Sequence, residues 1–434
     1  MKLWSKENTN TSERIEKFTV GRDKEFDILL AEHDVLGSLA HVKMLAQVNL
    51  LREEDLTQIV RGLTQILEEV RTGDFRIDDG VEDVHSQVEM ILTERIGEAG
   101  KKIHSGRSRN DQVAVDIKLY LKSEILQIKE STKTLFNLLI SRSNELKHKL
   151  LPGYTHLQIA MPSSFGLWLG AYAESLVDDL EMLAAAYAIT NKNPLGSGAG
   201  YGSSFPLNRT LTTRLLNFRT LNYNSVYAQM TRGKTEKSVA MGLSVIASSL
   251  SKLSMDCCLY MNQNFAFIQF PSELTTGSSI MPHKKNPDVF ELIRARCNRI
   301  QALPNEISMM LTNLPSGYHR DLQLTKEMLF PAIQDLKNCI EMMVLMIENM
   351  QVNDDILSDE KYKYLFSVEA VNQLVNQGIP FREAYKQVGN DINAGTFTFD
   401  HSKPLNHTHE GSIGQLNNEE IRREMEVVMG KFSA

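Results

Sequence analysis

Residues 163–192 read SSFGLWLGAYAESLVDDLEMLAAAYAITNK. Their apolar side chains cover a wide arc of a helix rather than one narrow stripe, and residues 236–268 repeat the pattern through Val239, Leu243 and Ile246. A helix that is apolar around much of its circumference is buried on several sides. The sequence therefore predicts helices that lie inside a bundle.

Three further segments of similar length, residues 111–150, 288–313 and 320–350, bring the predicted set to five long helices. Globular helices average about 11–12 residues, so helices of roughly 25–40 residues are unusual. We predict an all-α protein whose middle is an elongated five-helix bundle. Because a lone bundle of this kind would expose too much apolar surface, we expect it to pack against copies of itself.

Shorter helical segments are predicted on both sides of the bundle. The N-terminal ones are interrupted near Gly73 and around residues 78–80. The C-terminal part contains a helix-turn-helix in which Gly378 ends one helix and Pro380 lies in the first turn of the next. Alternating strand patterns are scarce, so no sizeable sheet is expected. We predict three domains, at residues 1–105, 106–351 and 352–434.

The composition excludes several classes of protein. The 434 residues are 42% hydrophobic and 23% charged, with a net charge of −7, which argues against bulk disorder and against non-specific binding of nucleic acid. The sequence contains no run of about 18 consecutive apolar residues, so we predict no membrane span. The cysteines form no C-x-x-C pair or disulfide framework, and residues 1–12 contain no apolar secretory core. We expect a cytoplasmic protein.

Three polar loops marked by glycine or proline interrupt the helical pattern, at residues 104–111, 152–158 and 276–286. We expect each loop to run into a helix N-terminus, where unpaired N–H groups suit carboxylates or phosphates. After the first loop, Asn110 or Asp111 is the predicted helix cap. After the second loop, Pro162 is predicted to start the helix, and after the third, Asn286 is the predicted cap and Pro287 the first helical residue.

These loops also contain cationic and proton-transferring side chains, namely Arg107, Arg109, Lys284, Lys285, His156 and Ser278. Each loop alone is compatible with an ordinary role: a capping histidine, a flexible Gly-Ser linker or solvated lysines. Taken together, they predict an enzyme that binds a multiply anionic substrate and performs acid–base chemistry on it.

Longer motifs in the same loops carry a family resemblance. Residues 277–287 read GSSIMPHKKNP and resemble the signature of the fumarase/aspartase superfamily of lyases. The strings GRSRNDQ at 106–112 and GYTHLQ at 153–158 are similar to those of the argininosuccinate lyase family within it. So are shorter strings at 82–85 and 195–199, and one across 314–323.

The resemblance implies a reversible anti elimination of argininosuccinate to arginine and fumarate through a carbanion-like intermediate, with no metal and no other cofactor. It implies that Ser278 and His156 are the two proton-transfer residues; which is base and which is acid stays open, and Ser279 is the alternative serine. Lys284 would stabilise the anionic species near the serine, and Glu291 would polarise the histidine.

The resemblance also implies substrate contacts. The expected contact residues are Asn110, Thr155, Asn286, Tyr318, Gln323 and Lys326, with Arg109 and Arg232 facing carboxylates. For Tyr318 and Gln323 a purely structural role is equally open on the sequence. His85 lies four residues before Glu89, a spacing that suits a metal; because the family uses none, we expect His85 to line the site.

The sequence departs from the family pattern at four places. Residues 3–8 read LWSKEN and lack the family's arginine, and Gly21 replaces a serine. Tyr227 and Gly233 replace two acidic residues, although Arg232 is kept. The departures leave the elimination machinery intact and concern how the arginine end of the substrate is held.

The family assembles as a homotetramer with a twenty-helix core, and the three loops reach each active site from different subunits; we expect the same here. The alternatives are another fumarate-releasing lyase such as adenylosuccinate lyase, a non-catalytic structural homologue, or a helical interaction scaffold. The strings at 106–112 and 155–158 favour argininosuccinate, the intact Ser278 and His156 argue against a non-catalytic homologue, and the three loops argue against a scaffold.

Overall fold

Five long helices dominate the structure, a computed structural model that describes residues 13–400, 405 and 407–433. In chain order the helices of this part are α1 (Glu13–Val20), α2 (Asp23–Asp27), α3 (Ala31–Gln47), α4 (Glu53–Thr72), α5 (Val84–Ile96), α6 (Arg109–Glu145), α7 (Phe165–Thr190), α8 (Arg209–Leu215), α9 (Ser225–Met230), α10 (Lys234–Met261), α11 (Asp288–Met310), α12 (Thr325–Glu348), α13 (Ser367–Asn376), α14 (Phe381–Asn393) and α15 (Asn418–Gly430). The strands are β1 (Leu150–Thr155), β2 (Gln158–Ser164), β3 (Lys192–Asn193), β4 (Thr220–Leu221), β5 (Ile268–Gln269) and β6 (Gln351–Val352).

The prediction of a mostly helical protein is confirmed, and in the described residues the strands form only two-stranded sheets, β1–β2, β3–β4 and β5–β6. The five predicted long segments correspond to α6, α7, α10, α11 and α12. Two of the predicted helices are too long: they were expected to end at residues 150 and 268, but α6 ends at Glu145 and α10 at Met261. Leu150 begins β1 and Ile268 begins β5, because the apolar side chains there are buried by strand pairing rather than by a continued helix.

The central helices are buried on several sides, as their broad apolar arcs predicted. Helix α7 packs between α6 and α10, and α10 also packs along α11 and α12. By length and composition alone α10 would be long and apolar enough to cross a membrane, but 56% of its most apolar window is buried inside the protein. It is the type of apolar helix that a bundle core requires.

The long helices give the bundle two distinct ends. Helix α6 has 37 residues and is therefore about 55 Å long. Near its C-terminus, Arg142 donates a hydrogen bond from Nη2 to the carbonyl of Met350, 2.5 Å away, just after α12 ends. Helix α11 runs antiparallel to α10, since Ser251 bonds to Asn298 at 2.7 Å and, later in α10, Met255 Sδ accepts from Arg294, earlier in α11, at 3.0 Å. Strand β5, which follows α10, pairs with β6, which follows α12.

It follows that the C-termini of α6, α10 and α12 and the N-terminus of α11 share one end, which also carries β1 and β2. We call this the hairpin end. The N-termini of α6, α10 and α12 lie at the opposite end.

Helix starts differ from the predicted positions. The first loop does lead into a helix, but the cap of α6 is Ser108 rather than Asn110 or Asp111. The Ser108 hydroxyl accepts from the N–H of Asn110, and Asp111 accepts from the N–H of Ser108 at 2.8 Å. This reciprocal arrangement is a capping box. The carboxylate of Asp111 also accepts from the N–H groups of Gly196 and Gly198.

The second predicted loop is instead a β-hairpin, so it does not itself run into a helix. Pro162 lies in β2, and Ser164 caps α7 by accepting from the N–H of Leu167. In the third loop, Pro287 occupies the cap position and α11 begins at Asp288. Asn286 does not cap the helix, because its side-chain amide donates to the carbonyl of Gly277 at 3.2 Å.

The flanking parts of the chain follow the sequence pattern closely. Helix α4 ends at Thr72 and α5 begins at Val84, which confirms the predicted interruption. Gly378 has a φ of +95° between α13 and α14, and Pro380 caps α14 rather than lying in its first turn. The division into domains at residues 105 and 351 stays a prediction, and the expectations for residues 1–12 lie outside the described residues.

Packing of α7 on α6 depends on Gly166. A Cβ at this position would lie 2.6 Å from the Cα of Lys147 and 2.6 Å from the carbonyl oxygen of Ser143, both main-chain atoms. Gly166→Ala is expected to lower the free energy of unfolding by about 1–3 kcal/mol, since the backbone must shift to admit the methyl group. Urea unfolding followed by circular dichroism measures the effect.

Gly389 in α14 is the matched control, because among the described residues no atom lies within 4 Å of its Cβ position. Gly389→Ala should leave stability unchanged or raise it by about 0.5–1 kcal/mol. Equal effects of the two substitutions would contradict the packing argument.

Candidate functional site

A cleft of about 540 Å³ opens at the end of the bundle opposite the hairpin end. Seven of the predicted site residues line it: His85, Arg109, Asn110, Arg232, Tyr318, Gln323 and Lys326. Ten other residues line the cleft that were not among the predicted site residues, namely Val20, Asp23, Asp27, Glu82, Asp83, Ser86, Glu89, His104, Val113 and Arg320. The cleft therefore gathers residues from α2, α5, α6 and α12 and from the turns that precede α10 and α12.

Lys326 is held at the bottom of the cleft by two carboxylates. Its ammonium lies 2.7 Å from Asp23 Oδ1 and 2.6 Å from Asp27 Oδ1, and the lysine is only 4% exposed. Burial works against the charged form, but Asp27 and Asp23 together raise the pKa of Lys326 above its ordinary value. The second oxygen of Asp27 accepts from the N–H of Val84 at 3.0 Å. This corner carries one ammonium and two carboxylates.

The arginines of the cleft are also paired with carboxylates. Arg232 Nε lies 3.0 Å from Glu236 Oε1, with both side chains buried. Arg109 Nε lies 3.7 Å from Asp83 Oδ2, and Arg320 lies 3.5 Å from Glu82. The loop residues predicted an excess of positive charge for binding anions. Within a single chain this cleft has no such excess, because its arginines are paired with carboxylates.

Polar side chains complete the wall. Gln323 donates from Nε2 to the carbonyls of Thr19 and Val20, at 3.0 and 3.3 Å, and so ties the C-terminal end of α1 to the cleft. Tyr318 is 37% exposed at the rim. Asn110, in the first turn of α6, is half-buried and lines the cleft together with Arg109.

A fully buried trio lies behind one wall of the cleft. His85 Nδ1 is 2.9 Å from Asp34 Oδ1 and 3.3 Å from Asp116 Oδ2. The potential ligand atoms of these three side chains all lie within 4.8 Å of one another. Among the described residues, this trio is therefore a candidate site for a metal ion. Nearby His104 also lines the cleft, and burial, with Arg107 and Arg109, lowers its pKa to about 4.

The serine loop, residues 276–287, lies at the hairpin end. Ser278 is half-buried, and its hydroxyl accepts from the N–H groups of Ile280 and Met281 at 3.4 and 3.2 Å. Lys284 is exposed on the same loop, and Glu291 is exposed in the first turn of α11. The loop is closed at its base by pairing of Thr276 with Asn286.

The hairpin β1–β2 presents Thr155 and His156 at its exposed tip. His156 has a φ of +52°, and Leu157 a φ of +58°, so both turn residues adopt the left-handed conformation. Next to the tip, the hydroxyl groups of Tyr154 and Tyr362 lie 3.1 Å apart and connect the hairpin to the C-terminal part of the chain.

The structure therefore divides the predicted site residues into two groups. Those absent from the cleft are Thr155, His156, Ser278, Lys284, Asn286 and Glu291. They lie at the hairpin end, whereas the cleft lies at the other end. Helix α11, which runs from the serine loop towards Tyr318, has 23 residues and spans roughly 35 Å. One chain does not bring the two groups together.

Comparison with known proteins identifies the class. The sequence profile of a lyase family matches residues 6–302. The crystal structure of EDDS lyase in complex with formate is similar with a TM-score of 0.76 and 22% identity, over 98% of this chain and 91% of that one. Class II fumarase from Schistosoma mansoni gives a TM-score of 0.71 at 16% identity, over 95% of each chain. The fold and the profile define a lyase of the fumarase/aspartase class.

Relatives with higher identity narrow the assignment. The argininosuccinate lyase of Bacteroides thetaiotaomicron is 58% identical over 432 residues, which is 100% of this chain and 96% of the relative. That of Thermotoga neapolitana is 38% identical over 89% of this chain and 97% of the relative. The chain belongs to the argininosuccinate lyase family.

Proposed function

We propose that this chain catalyses the reversible elimination of argininosuccinate to arginine and fumarate. The observation that carries the proposal is the 58% identity to a named argininosuccinate lyase over the full chain. In the reaction, a base removes a proton from the carbon next to a carboxylate of the succinate half. The electron pair left on carbon forms the double bond of fumarate as the C–N bond breaks, and the departing guanidine nitrogen takes up a proton.

We assign the succinate half to the serine loop and the hairpin. The developing negative charge is delocalised into the adjacent carboxylate, and donors aimed at its oxygens can each be worth about 3–4 kcal/mol. Lys284, Asn286 and Thr155 supply a cation and polar donors for that purpose. The glycine and the two serines at the start of the loop suit a segment that closes over substrate.

Ser278 and His156 are the proposed proton-transfer residues, and either order of base and acid agrees with their chemistry. A serine hydroxyl is a poor base unless its anion is stabilised, and Lys284 on the same loop provides the positive charge. Glu291 is proposed to polarise the histidine, in the manner of the orienting carboxylate of a catalytic triad.

We assign the arginine half to the cleft. Five carboxylates and four permanent cations line it, and each cation pairs with a carboxylate. A nearly balanced wall of this kind suits an amino acid that carries an ammonium, a carboxylate and a guanidinium group. Tyr318, Gln323 and Lys326, with Asn110, are the proposed contacts, while Arg109 and Arg232 face the carboxylates at the junction of the two halves.

We further propose that the protein acts as a homotetramer in the cytoplasm, with each active site built from different subunits. Separation of the two groups along one chain supports this, because only another copy can bring a serine loop to a cleft. The long helices also expose large apolar side chains that a neighbouring copy would cover: Met182, Met241, Met255, Leu292, Met309 and Leu345. Apolar side chains left exposed on these packed helices support an interface with another copy.

Steady-state release of fumarate from argininosuccinate, followed by absorbance, tests the activity. Ser278→Ala is expected to lower kcat by about 10²–10⁴-fold, which is the contribution of a positioned proton-transfer group. Ser279→Ala, one residue along the same loop, is the matched control and should stay within about tenfold of the wild type. Loss of activity in Ser279→Ala but not in Ser278→Ala would reverse the assignment, and an inactive wild type would overturn the function.

Subunit mixing tests the shared site. Two inactive variants, His156→Asn and Ser278→Ala, are mixed, exchanged and assayed. If hairpin and serine loop reach a site from different copies, about one quarter of the sites in random tetramers contain both intact residues, and activity returns to that level. Ser278→Ala mixed with Lys284→Ala is the control, because both changes lie on one loop and no mixed site is intact. No recovery in the first mixture would contradict sharing.

A further inference from the structure

The tip of the hairpin β1–β2 is a strained turn. Thr155 pairs with Gln158, so His156 and Leu157 form a two-residue loop, with φ angles of +52° and +58°. Two-residue hairpin loops with a positive φ at both positions are usually built from Asn and Gly. In this region of φ a β-carbon lies too close to the following carbonyl oxygen. The chain keeps two larger side chains at the tip in spite of the strain.

Leu157 is 78% exposed, although it is a large apolar residue. An exposed leucine by itself is common and needs no explanation. A leucine in a left-handed turn is different, because glycine in its place would remove both the strain and the exposed apolar surface. Residues held in strained backbone conformations cluster at functional sites. Strain and exposure together therefore point to a contact that Leu157 makes outside the single chain.

The hairpin is attached to its own chain next to the tip, but the tip itself is free. The hydroxyl group of Tyr154 lies 3.1 Å from that of Tyr362, and its ring meets Phe265 edge to face at 5.3 Å. Beyond this attachment, residues 155–159 are all exposed. Within the described part of one chain, the side chain of His156 has no hydrogen bond and no ion pair. A single copy therefore provides nothing that orients the imidazole.

We propose that Leu157 is a positioning residue, which packs against a second copy of this chain and thereby holds the neighbouring His156 in place at the shared active site. The inference rests on the proposed function, in which the hairpin and the cleft of each site belong to different copies. It adds to that function the residue that fixes the hairpin tip on the other copy.

The separation of the two groups of site residues is what makes a second copy the partner. His156 lies at the hairpin end and the cleft at the opposite end, so the tip meets a cleft only in an assembly. Because Leu157 is adjacent to His156 in the same turn and is accessible, a surface that receives one side chain also meets the other. Burial of the leucine between copies removes apolar surface from water and offsets the strain of the turn.

A groove in the same chain is the competing place for this side chain. It measures about 680 Å³, adjoins Leu157 and includes Tyr362 and Tyr364 in its walls. Leu157 remains 78% exposed beside this groove, so its burial there requires the tip to move relative to its own chain. Contact with a second copy requires no such movement.

The decisive variants are Leu157→Gly and Leu157→Met in the assembled enzyme. Glycine suits a positive φ better than leucine, so a residue needed only for the turn predicts a kcat at least equal to that of the wild type. Loss of the contact instead predicts a kcat about 10–100-fold lower, with KM changed less than about threefold, because a small displacement of a catalytic group acts on kcat. Methionine keeps the apolar volume and should retain kcat within about threefold.

Ala266→Gly is the matched control for relief of strain. Ala266 is exposed in the loop after α10 and also has a positive φ, of +50°. Because no part of the proposed site depends on this residue, kcat and KM should stay within about twofold of the wild type. Size-exclusion chromatography of every variant separates loss of activity from loss of assembly.

Protection of a thiol shows what covers the tip. Leu157→Cys places a thiol at the tip, and Glu98→Cys places one at a side chain that is 83% exposed in one chain. Each assembled protein is treated with iodoacetamide, and alkylation at the new cysteine is read by peptide mass spectrometry. Relative to the same chain unfolded in urea, the thiol at position 157 should react at least about tenfold more slowly, and the thiol at position 98 at nearly the same rate.

Tyr364→Ala distinguishes the two places in which the leucine is buried. This change removes one wall of the groove, so protection at position 157 that is lost in the double variant Leu157→Cys/Tyr364→Ala would assign the contact to the same chain and overturn the proposal. With a second copy as the partner, protection persists.

Wild-type kcat in Leu157→Gly, or equal losses in Leu157→Gly and Leu157→Met, would also overturn the proposal. Should Leu157→Gly fail to assemble, the thiol experiment still decides, since unprotected alkylation at position 157 contradicts a contact with a second copy. In each case the wild type still releases fumarate from argininosuccinate, so the proposed function is judged separately.

Discussion

The length of the central helices determines where the loops and the cleft lie. A helix rises about 1.5 Å per residue, so a 23-residue α11 or a 37-residue α6 holds its two ends tens of ångströms apart. Packing of these helices against one another holds them in place. The serine loop and the cleft are attached to opposite ends of this framework, and no movement of a short loop closes the gap.

Charge is arranged in a way that matches this separation. At the cleft, the cations Arg109, Arg232, Arg320 and Lys326 are each neutralised by a carboxylate. On the serine loop, Lys284 is exposed at the hairpin end. Burial makes an unpaired charge expensive, whereas an exposed charge costs little until a partner covers it. The positive charge of Lys284 therefore lies at the surface of the hairpin end, whereas the cations of the cleft are already paired with carboxylates.

Much of the fold was predictable from the sequence, because long helices with broad apolar arcs leave a strong periodic signal. The local errors have one origin: periodicity reports burial and not the backbone shape that achieves it. Leu150 and Ile268 are in strands rather than helix ends, and the cap of α6 is Ser108 rather than a neighbouring polar residue, since the backbone geometry at one residue decides which oxygen reaches the free N–H groups.

The site was predictable to a lesser degree. Resemblance named residues of both groups, but nothing local in the sequence marks Asp27 as the partner of Lys326, 299 positions away. Asp83 has a readable local role as the cap of α5, and its place in the cleft depends on how α5 packs. The trio of Asp34, His85 and Asp116 likewise forms only when three helices meet. Long-range contacts of this kind are set by tertiary packing and leave no periodic trace.

A crystal structure of the assembled Ser278→Ala protein with argininosuccinate bound shows directly whether each site is shared between copies. We expect a serine loop from one copy above the cleft of another, with the succinate carboxylates near Lys284 and the arginine half between Tyr318 and Lys326. A ligand enclosed by residues of a single copy, with every serine loop far from every cleft, would contradict it.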